Sequence, residues 1–191
     1  MVSQHVHTDV SNALNVLKQG GLILYPTDTV WGIGCDASNY EAVQKVYQLK
    51  KRDDSKALIC LVNNYRMLEK HVDNVPEMAY TILDVALKPT TIIYDHPAGI
   101  AENLIAPDNT LAIRVVKHRF CEELIKQLKK PLVSTSANIS GQPTPKSFEE
   151  ISDDILKGVD YVVNLQNEKK ESQPSSIIKL GNDGIVQIIR S

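Results

Sequence analysis

The chain has 191 residues, of which 42% are hydrophobic and 23% charged, and its formal net charge is −2. These values are typical of a globular protein with one substantial core, and they exclude a chain that is strongly basic throughout, although a local cluster of Lys and Arg is compatible with them. We expect a reduced, cytoplasmic protein, because no apolar run approaches the roughly 20 residues of a membrane span, no signal peptide is evident, and the three cysteines lack Cys-x-x-Cys spacing.

Hydrophobic periodicity and turn residues predict alternating helices and strands, with closely spaced strands near the end of the chain. Helices are predicted over residues 8–19, 39–51, 64–71, 77–87, 119–129 and 147–157. Strands are predicted over residues 22–25, 57–62, 91–94, 111–116, 131–134, 160–165, 175–180 and 185–189. Residues 96–109 predict a long loop, with a lid or a short hairpin as alternatives. We therefore expect a single α/β domain with a twisted mixed open sheet flanked by helices.

The predicted strand over residues 22–25 stops at Pro26, and small polar residues and glycines follow it. Such a break can expose backbone N–H groups to a ligand. Residues 32–37 match the dinucleotide fingerprint G-x-G-x-x-G/A, but residues 26–31 separate them from the strand that the fingerprint requires. A nicotinamide-dependent oxidoreductase is therefore the weaker alternative, and we interpret the match as accidental.

A basic group ends the predicted helix over residues 39–51. Lys50, Lys51 and Arg52 are consecutive, and Lys56 follows in the next loop. Cations are favoured at a helix C-terminus, which explains the two lysines at the helix end better than it explains Arg52 and Lys56. The pattern is compatible with two interpretations, a solvated helix end and an anion-binding site.

Arg114 and Arg190 lie in or at the end of apolar strands, where an unpaired charge would be costly. Each is either an ion-paired structural residue or an anion ligand, and position alone does not decide between these. Residues 134–141 add hydroxyls and an amide after a short strand, which a capped turn would also explain. No histidine has metal-ligand spacing with cysteines or acids, and no nucleophile with its base is evident. This inventory favours binding of phosphates and a small polar substrate, with catalysis by positioning and charge stabilisation.

Three segments together resemble the Sua5/YciO/YrdC family, and most closely its threonylcarbamoyl-AMP synthases: residues 26–37, Lys50-x-Arg52 and residues 134–141. The resemblance covers about residues 8–190 and implies one YrdC-like domain over 1–191, without the second domain of Sua5. It implies an L-threonylcarbamoyladenylate synthase, which uses L-threonine, bicarbonate and ATP, with Mg²⁺ held mainly by the phosphates. Partner proteins would then use the product to make N6-threonylcarbamoyladenosine in tRNAs that read ANN codons. The alternative is a non-catalytic RNA-binding or ribosome-maturation protein with the same fold.

The resemblance also implies site residues. The family's tetrad corresponds to Lys50, Arg52, Ser136 and Asn138, the expected catalytic set. The expected ATP ligands are Arg52, Lys56, Thr110, Ser136, Asn138 and Arg190. The expected threonine ligands are Thr29, Trp31, Arg114 and Ser175, and no protein metal site is expected. Leu61 departs from the pattern, because many members have a histidine there.

Overall fold

The protein is described by a computed structural model over residues 2–52, 58–165 and 173–191. Its helices are α1 (Val2–Lys18), α2 (Tyr40–Lys50), α3 (Tyr65–His71), α4 (Glu77–Val85), α5 (Arg119–Leu128) and α6 (Asp153–Gly158). Its strands are β1 (Ile23–Tyr25), β2 (Gly32–Gly34), β3 (Ile59–Val62), β4 (Thr90–Asp95), β5 (Thr110–Val115), β6 (Leu132–Ser136), β7 (Tyr161–Val162), β8 (Ser176–Leu180) and β9 (Val186–Arg190). Short 3₁₀ turns cover Glu102–Leu104 and Phe148–Glu150.

The strands form one sheet in the order β7-β1-β2-β6-β3-β5-β4-β8-β9. The pairs β1–β7, β3–β5 and β4–β8 are parallel, and the other neighbours are antiparallel. The predicted mixed α/β sheet is therefore confirmed. The last two predicted strands are found as β8 and β9, which pair antiparallel.

The two faces of the sheet are covered unequally. Along β3, Cys60 and Val62 point into the core that α2, α3 and α4 help to form, while Leu61 points into the layer of α1 and α5. Among the described residues, the buried strand members of this α1–α5 layer come from β1, β3 and β6, and none comes from β4, β8 or β9. This half-covered face leaves room for a cavity above the far strands.

Helix α1 begins at Val2, so the predicted start at residue 8 was wrong. The apolar face extends further towards the N-terminus, and Val6 and Val10 are both buried. Asp9 is also buried, and its Oδ1 accepts hydrogen bonds from Tyr161 Oη at 2.5 Å and from Asn164 N at 3.2 Å. It therefore ties α1 to the segment of β7 rather than capping a helix.

The glycines of residues 32–34 form strand β2, between β1 and β6, and not a ligand-binding turn. A Cβ atom on Gly34 would lie 2.4 Å from Val133 O and 2.7 Å from Tyr25 Cε1. Gly34 is therefore needed for close packing within the sheet. This finding removes the structural context that a dinucleotide fingerprint requires.

Two other predicted segments differ in detail. The expected helix over residues 147–157 is divided into the 3₁₀ turn Phe148–Glu150 and α6. In the long loop of residues 96–109, Leu104 is buried and Ala101 N donates to Ala37 O at 2.9 Å. The middle of this loop belongs to the core, which does not suit a lid.

Candidate active site

A cavity of about 320 Å³ lies on the half-covered sheet face, beside the α1–α5 layer. Its floor includes Ile59 of β3, Ala112 of β5 and Ile93 of β4, because alternate residues of neighbouring strands point to the same side. Five predicted site residues line this cavity: Arg52, Arg114, Ser136, Ser175 and Arg190. Lys56 falls outside the described residues.

Strand register gives the cavity two ends. Ile59 pairs with Ala112 on one side and with Ser134 on the other, which defines a row across the middle. Arg114 lies two residues from this row in one direction along the strands. Thr110 and Ser136 lie two residues from it in the opposite direction. At about 3.3 Å per residue, the two ends are about 13 Å apart. Arg114, an expected ligand of L-threonine, thus lies at one end, and Thr110 and Ser136, two expected ligands of ATP, lie at the other.

Arg114 is held at the first end by the segment after β1. Its Nη2 lies 3.1 Å from Asp28 Oδ1 and donates to Thr29 Oγ1 at 3.2 Å. The side chains of Arg114 and Asp28 are only 4% and 8% exposed, so this ion pair is buried. Arg114 Nε is buried without a hydrogen-bond partner, although Arg114 lines the cavity. The guanidinium is therefore anchored on Nη2 while it keeps unused donors.

The hydroxyls beside this pair have a defined direction. Thr27 Oγ1 donates to Val30 O at 2.8 Å, so its only proton is used. In the 2.9 Å contact between Thr27 Oγ1 and Thr29 Oγ1, Thr29 must then be the donor. Thr29 Oγ1 consequently acts as an acceptor towards Arg114 and towards any ligand that reaches it.

Ser175 lies next to a second guanidinium. Its Oγ is 2.8 Å from Thr91 Oγ1, its carbonyl accepts from Arg190 Nε at 2.9 Å, and Arg190 Nη2 donates to its Oγ at 3.4 Å. Burial lowers the pKa of Arg190, and the positive charge of Arg114 lowers it further. Two cations therefore share this end of the cavity, which is an arrangement that attracts an anion.

Lys50, the last residue of α2, is 1% exposed and does not line the cavity. Its Nζ donates to Ser136 O at 2.5 Å and to Asn138 O at 2.6 Å, and its own carbonyl accepts from Ser140 N at 2.8 Å. Burial lowers the pKa of Lys50 to about 7, and the charge of Arg52 acts in the same direction. Lys50 thus holds the back of the serine-rich loop.

Arg52 reaches the cavity because α2 ends in a Schellman motif. Lys51 has a left-handed backbone with φ of 49°, Lys51 N donates to Gln48 O, and Arg52 N donates to Tyr47 O. Both hydrogen bonds fix the direction in which the chain leaves the helix. Burial also lowers the pKa of Arg52.

Four other predicted residues lie near the cavity without lining it: Thr29, described above, and Trp31, Asn138 and Thr110. Trp31 is buried, its ring lies 5.1 Å from that of Phe148, and its carbonyl accepts from Ala137 N. Asn138 Nδ2 donates to Ile139 O and Gln142 O, while its Oδ1 is buried without a partner. Thr110 Oγ1 donates to Asp108 Oδ1 at 2.7 Å, and Asp108 is paired with Lys179.

Two residues at this site were not predicted. Asp28 and Thr91 position Arg114 and Ser175 through the contacts given above. The signal for Asp28 was its place between two threonines after a strand, and the signal for Thr91 was a polar residue in an apolar strand. Neither signal predicts which residue Asp28 or Thr91 contacts, because each contact is with a residue more than 80 positions away in sequence.

The cavity offers guanidiniums, hydroxyls and backbone groups, which suits anionic ligands and catalysis by charge stabilisation. Among residues 2–52, 58–165 and 173–191, no group of three or more His, Cys, Asp or Glu could hold a metal ion. In the same residues, no helix is both long enough and apolar enough to cross a membrane.

Comparison with known proteins identifies the family. A model for Sua5/YciO/YrdC proteins, described as "Telomere recombination", matches residues 15–191. The threonylcarbamoyl-AMP synthase of Pseudoalteromonas translucida is 36% identical over 88% of this chain and 91% of its own length. A putative threonylcarbamoyl-AMP synthase of Methanocaldococcus jannaschii is 39% identical over 90% of this chain and 80% of its own length.

A solved structure has the same fold. The crystal structure of P. abyssi Sua5 with L-threonine superposes with a TM-score of 0.79 at 24% identity. The match covers 90% of this chain and 50% of that chain, so this chain spans half of that protein. Together with the family model and the two relatives, this fold shows that the chain belongs to the Sua5/YciO/YrdC family.

Proposed function

We propose that this chain is an L-threonylcarbamoyladenylate synthase, a nucleotidyltransferase that joins L-threonine, bicarbonate and ATP. The observation that carries this proposal is the single cavity lined by Arg52, Arg114 and Arg190 together with the hydroxyls of Ser136 and Ser175. Guanidiniums at both ends of one cavity suit a carboxylate at one end and phosphates at the other. The names of the two relatives favour this enzyme over a non-catalytic RNA-binding protein.

L-Threonine binds at the Arg114 end in this proposal. The guanidinium is anchored by Asp28 and would pair with the substrate carboxylate through its remaining donors. Thr29 Oγ1 would accept a hydrogen bond from the ammonium or the hydroxyl of the substrate, because its own proton is directed to Thr27. Ser175 would supply the next polar contact. Trp31 does not line the cavity and would support the threonine site from behind through its packing on Phe148.

ATP occupies the other end. Arg52 and Ser136 line it, Asn138 follows in the same loop, and Thr110 lies in the row of Ser136. Lys56 would add a further cation. Arg190 contacts Ser175 and shares the Arg114 end of the cavity, so in this proposal it would meet the α-phosphate where ATP reaches the threonine.

The reaction needs no protein nucleophile. The threonine amine adds to bicarbonate and releases water, giving a carbamate. A carbamate oxygen then attacks the α-phosphorus of ATP, its bond to the pyrophosphate breaks, and pyrophosphate leaves. Arg52, Lys56 and Arg190 offset the negative charge on the phosphates, while Arg114 fixes the amino acid for attack. Lys50 contributes by holding the loop of Ser136 and Asn138.

Mg²⁺ is part of the proposal as an ion held mainly by the phosphate oxygens of ATP, where it supplies positive charge. This fits the donor set, because the described cavity lining offers cations and hydroxyls rather than a carboxylate cluster.

The product would pass to partner proteins that make N6-threonylcarbamoyladenosine in tRNAs reading ANN codons, which places the activity in the cytoplasm. The continuous nine-stranded sheet supports our proposal that residues 8–190 act as one YrdC-like domain.

Pyrophosphate release tests this function. We expect release from ATP only when L-threonine and bicarbonate are both present, and a loss of release in Arg52→Ala with the fold retained. ATP turnover that is indifferent to L-threonine would refute the proposed function.

A further inference from the structure

Lys50 and the serine-rich loop form one unit across the fold. Lys50 lies 86 and 88 positions in sequence from Ser136 and Asn138, and the carbonyls of both residues accept a hydrogen bond from its ammonium. The backbone carbonyl of Lys50 also accepts a hydrogen bond from Ser140 N. One residue thus makes three hydrogen bonds to a five-residue stretch, which we call the 136–140 loop.

The ammonium is placed behind the loop and not in the cavity. Lys50 is 1% exposed and is absent from the described cavity lining, whereas Ser136 lines it. In this arrangement a ligand in the cavity meets the side chain of Ser136, while Lys50 meets its carbonyl. Two of the three ammonium donors are used by the carbonyls of Ser136 and Asn138, and the side chain is buried behind the loop, so it does not face a ligand in the cavity.

We propose that Lys50 is a positioning residue, which sets the 136–140 loop against the end of α2 so that Arg52 and Ser136 face the same ATP phosphates. This role deepens the proposed function and rests on it for the ATP step.

The chemistry of the contacts explains why a lysine is needed. An unpaired buried carbonyl is costly, and the Lys50 ammonium donates to both loop carbonyls. Ser136 O also accepts from Asn138 N at 2.9 Å, so an apolar residue of the same length would deprive Asn138 O of the Lys50 donor and leave Ser136 O with one donor fewer. The loop would then turn the Asn138 carbonyl towards water, and the Ser136 hydroxyl would move with the loop.

Amide hydrogen exchange tests the loop claim without any substrate. In Lys50→Met we expect the segment of residues 136–142 to exchange at least about tenfold faster than in the parent protein. The matched control is Lys45→Met on the same helix, since Lys45 Nζ donates to Gly20 O at 2.8 Å, away from the cavity. The control should leave exchange of this segment unchanged. Unchanged exchange in Lys50→Met would overturn the proposal.

A double-mutant cycle tests the link to ATP. Lys50→Met and Ser136→Ala should each raise the KM for ATP, by about tenfold for Lys50→Met, while the double variant should show less than the product of the two factors. Independent, fully multiplying factors would mean that Lys50 acts on ATP by itself, which overturns the proposal.

A third variant guards against misfolding. Lys50→Arg keeps a cation with several donors, so loop exchange and KM for ATP should be partly restored together. Restoration of one without the other contradicts the mechanism. If the parent protein shows no threonine-dependent pyrophosphate release, the proposed function fails, while the exchange experiment still decides the role of Lys50 in the loop.

Discussion

Nη2 of Arg114 lies 3.1 Å from Oδ1 of Asp28, in an ion pair whose side chains are 4% and 8% exposed. A guanidinium in such a place is unstable without a counter-charge, since the cost of removing it from water is large. Asp28 supplies that charge, and Arg114 Nε remains without a hydrogen-bond partner, which is the donor that our proposal assigns to L-threonine. The ion pair therefore explains how a buried cation is stabilised in the apolar strand β5.

Replacing Asp28 with Asn should lower the free energy of unfolding by about 3–5 kcal/mol, because one charge of a buried pair is left alone. Urea denaturation measures this loss. The control is Asp153→Asn, whose pair with Lys157 is 78% and 77% exposed and screened by solvent, so its loss should change the free energy of unfolding far less. Equal losses in the two variants would show that the Asp28 pair is not a structural anchor.

Arg114→Lys should raise the KM for L-threonine by about tenfold or more and leave the KM for ATP within about twofold. A lysine keeps the charge but cannot pair with a carboxylate through two N–H groups. Initial rates with each substrate varied in turn provide both constants. A larger change in the KM for ATP would place Arg114 at the wrong end of the cavity.

Arg52→Ala should reduce the rate of adenylate formation by at least about 100-fold, because a cation facing the leaving pyrophosphate is lost. Its Tm should stay close to that of the parent protein, since alanine keeps the backbone N–H that Arg52 donates to Tyr47 O in the helix cap. The comparison combines single-turnover kinetics with thermal unfolding. An unfolded variant whose remaining folded fraction has full activity would make Arg52 a structural residue.

Lys51→Gly should stabilise the protein by about 0.5–1 kcal/mol. Lys51 has φ of 49°, where a Cβ atom costs about 1–2 kcal/mol, and the greater freedom of glycine in the unfolded chain takes back part of this gain. Lys129, with φ of 60° after α5, is the matched site, and Lys129→Gly should act in the same direction. Destabilisation at Lys51 would mean that its side chain makes a contact worth more than the strain.

The stability of the protein should rise with pH because of Lys50. Burial and the charge of Arg52 lower its pKa to about 7 in the folded state, while an unfolded lysine has a pKa of about 10.4. Between these values the unfolded chain binds a proton that the folded protein has released, so the free energy of unfolding increases with pH by up to about 1.4 kcal/mol per unit.

Urea denaturation between pH 6 and 9 isolates this contribution when the parent protein is compared with Lys50→Met. The difference between their slopes should be positive above pH 7 and vanish below it. Parallel curves over the whole range would show that Lys50 stays charged in the folded protein.

The sequence was informative where the signal is local. Helix α2 was predicted over residues 39–51, and Asn39 caps it, since Asn39 Oδ1 accepts from Ala42 N at 3.0 Å. The strands β5 and β8 were also predicted, with bounds within one residue of those observed. These local signals, combined with the family resemblance, were enough to bring Arg52, Arg114 and Ser175 to one cavity.

The sequence was silent where the partner is distant. Two of the three residues of β2 are glycines with low β propensity, and the strand is defined by its pairing with β1 and β6. The burial of Lys50 depends on carbonyls of β6 and the loop after it, 86 and 88 residues away. Such contacts are set by tertiary structure, so residue type alone predicts a solvated helix end.

Labelled bicarbonate provides the most direct test of the proposed reaction. The protein would be incubated with ATP, L-threonine and ¹³C-bicarbonate, and the nucleotide products would be analysed by mass spectrometry. We expect threonylcarbamoyl-AMP with the label in its carbamoyl carbon, formed together with pyrophosphate and reduced by Arg114→Lys at low L-threonine. An adenylate without the label, or AMP formed without L-threonine, would contradict the account.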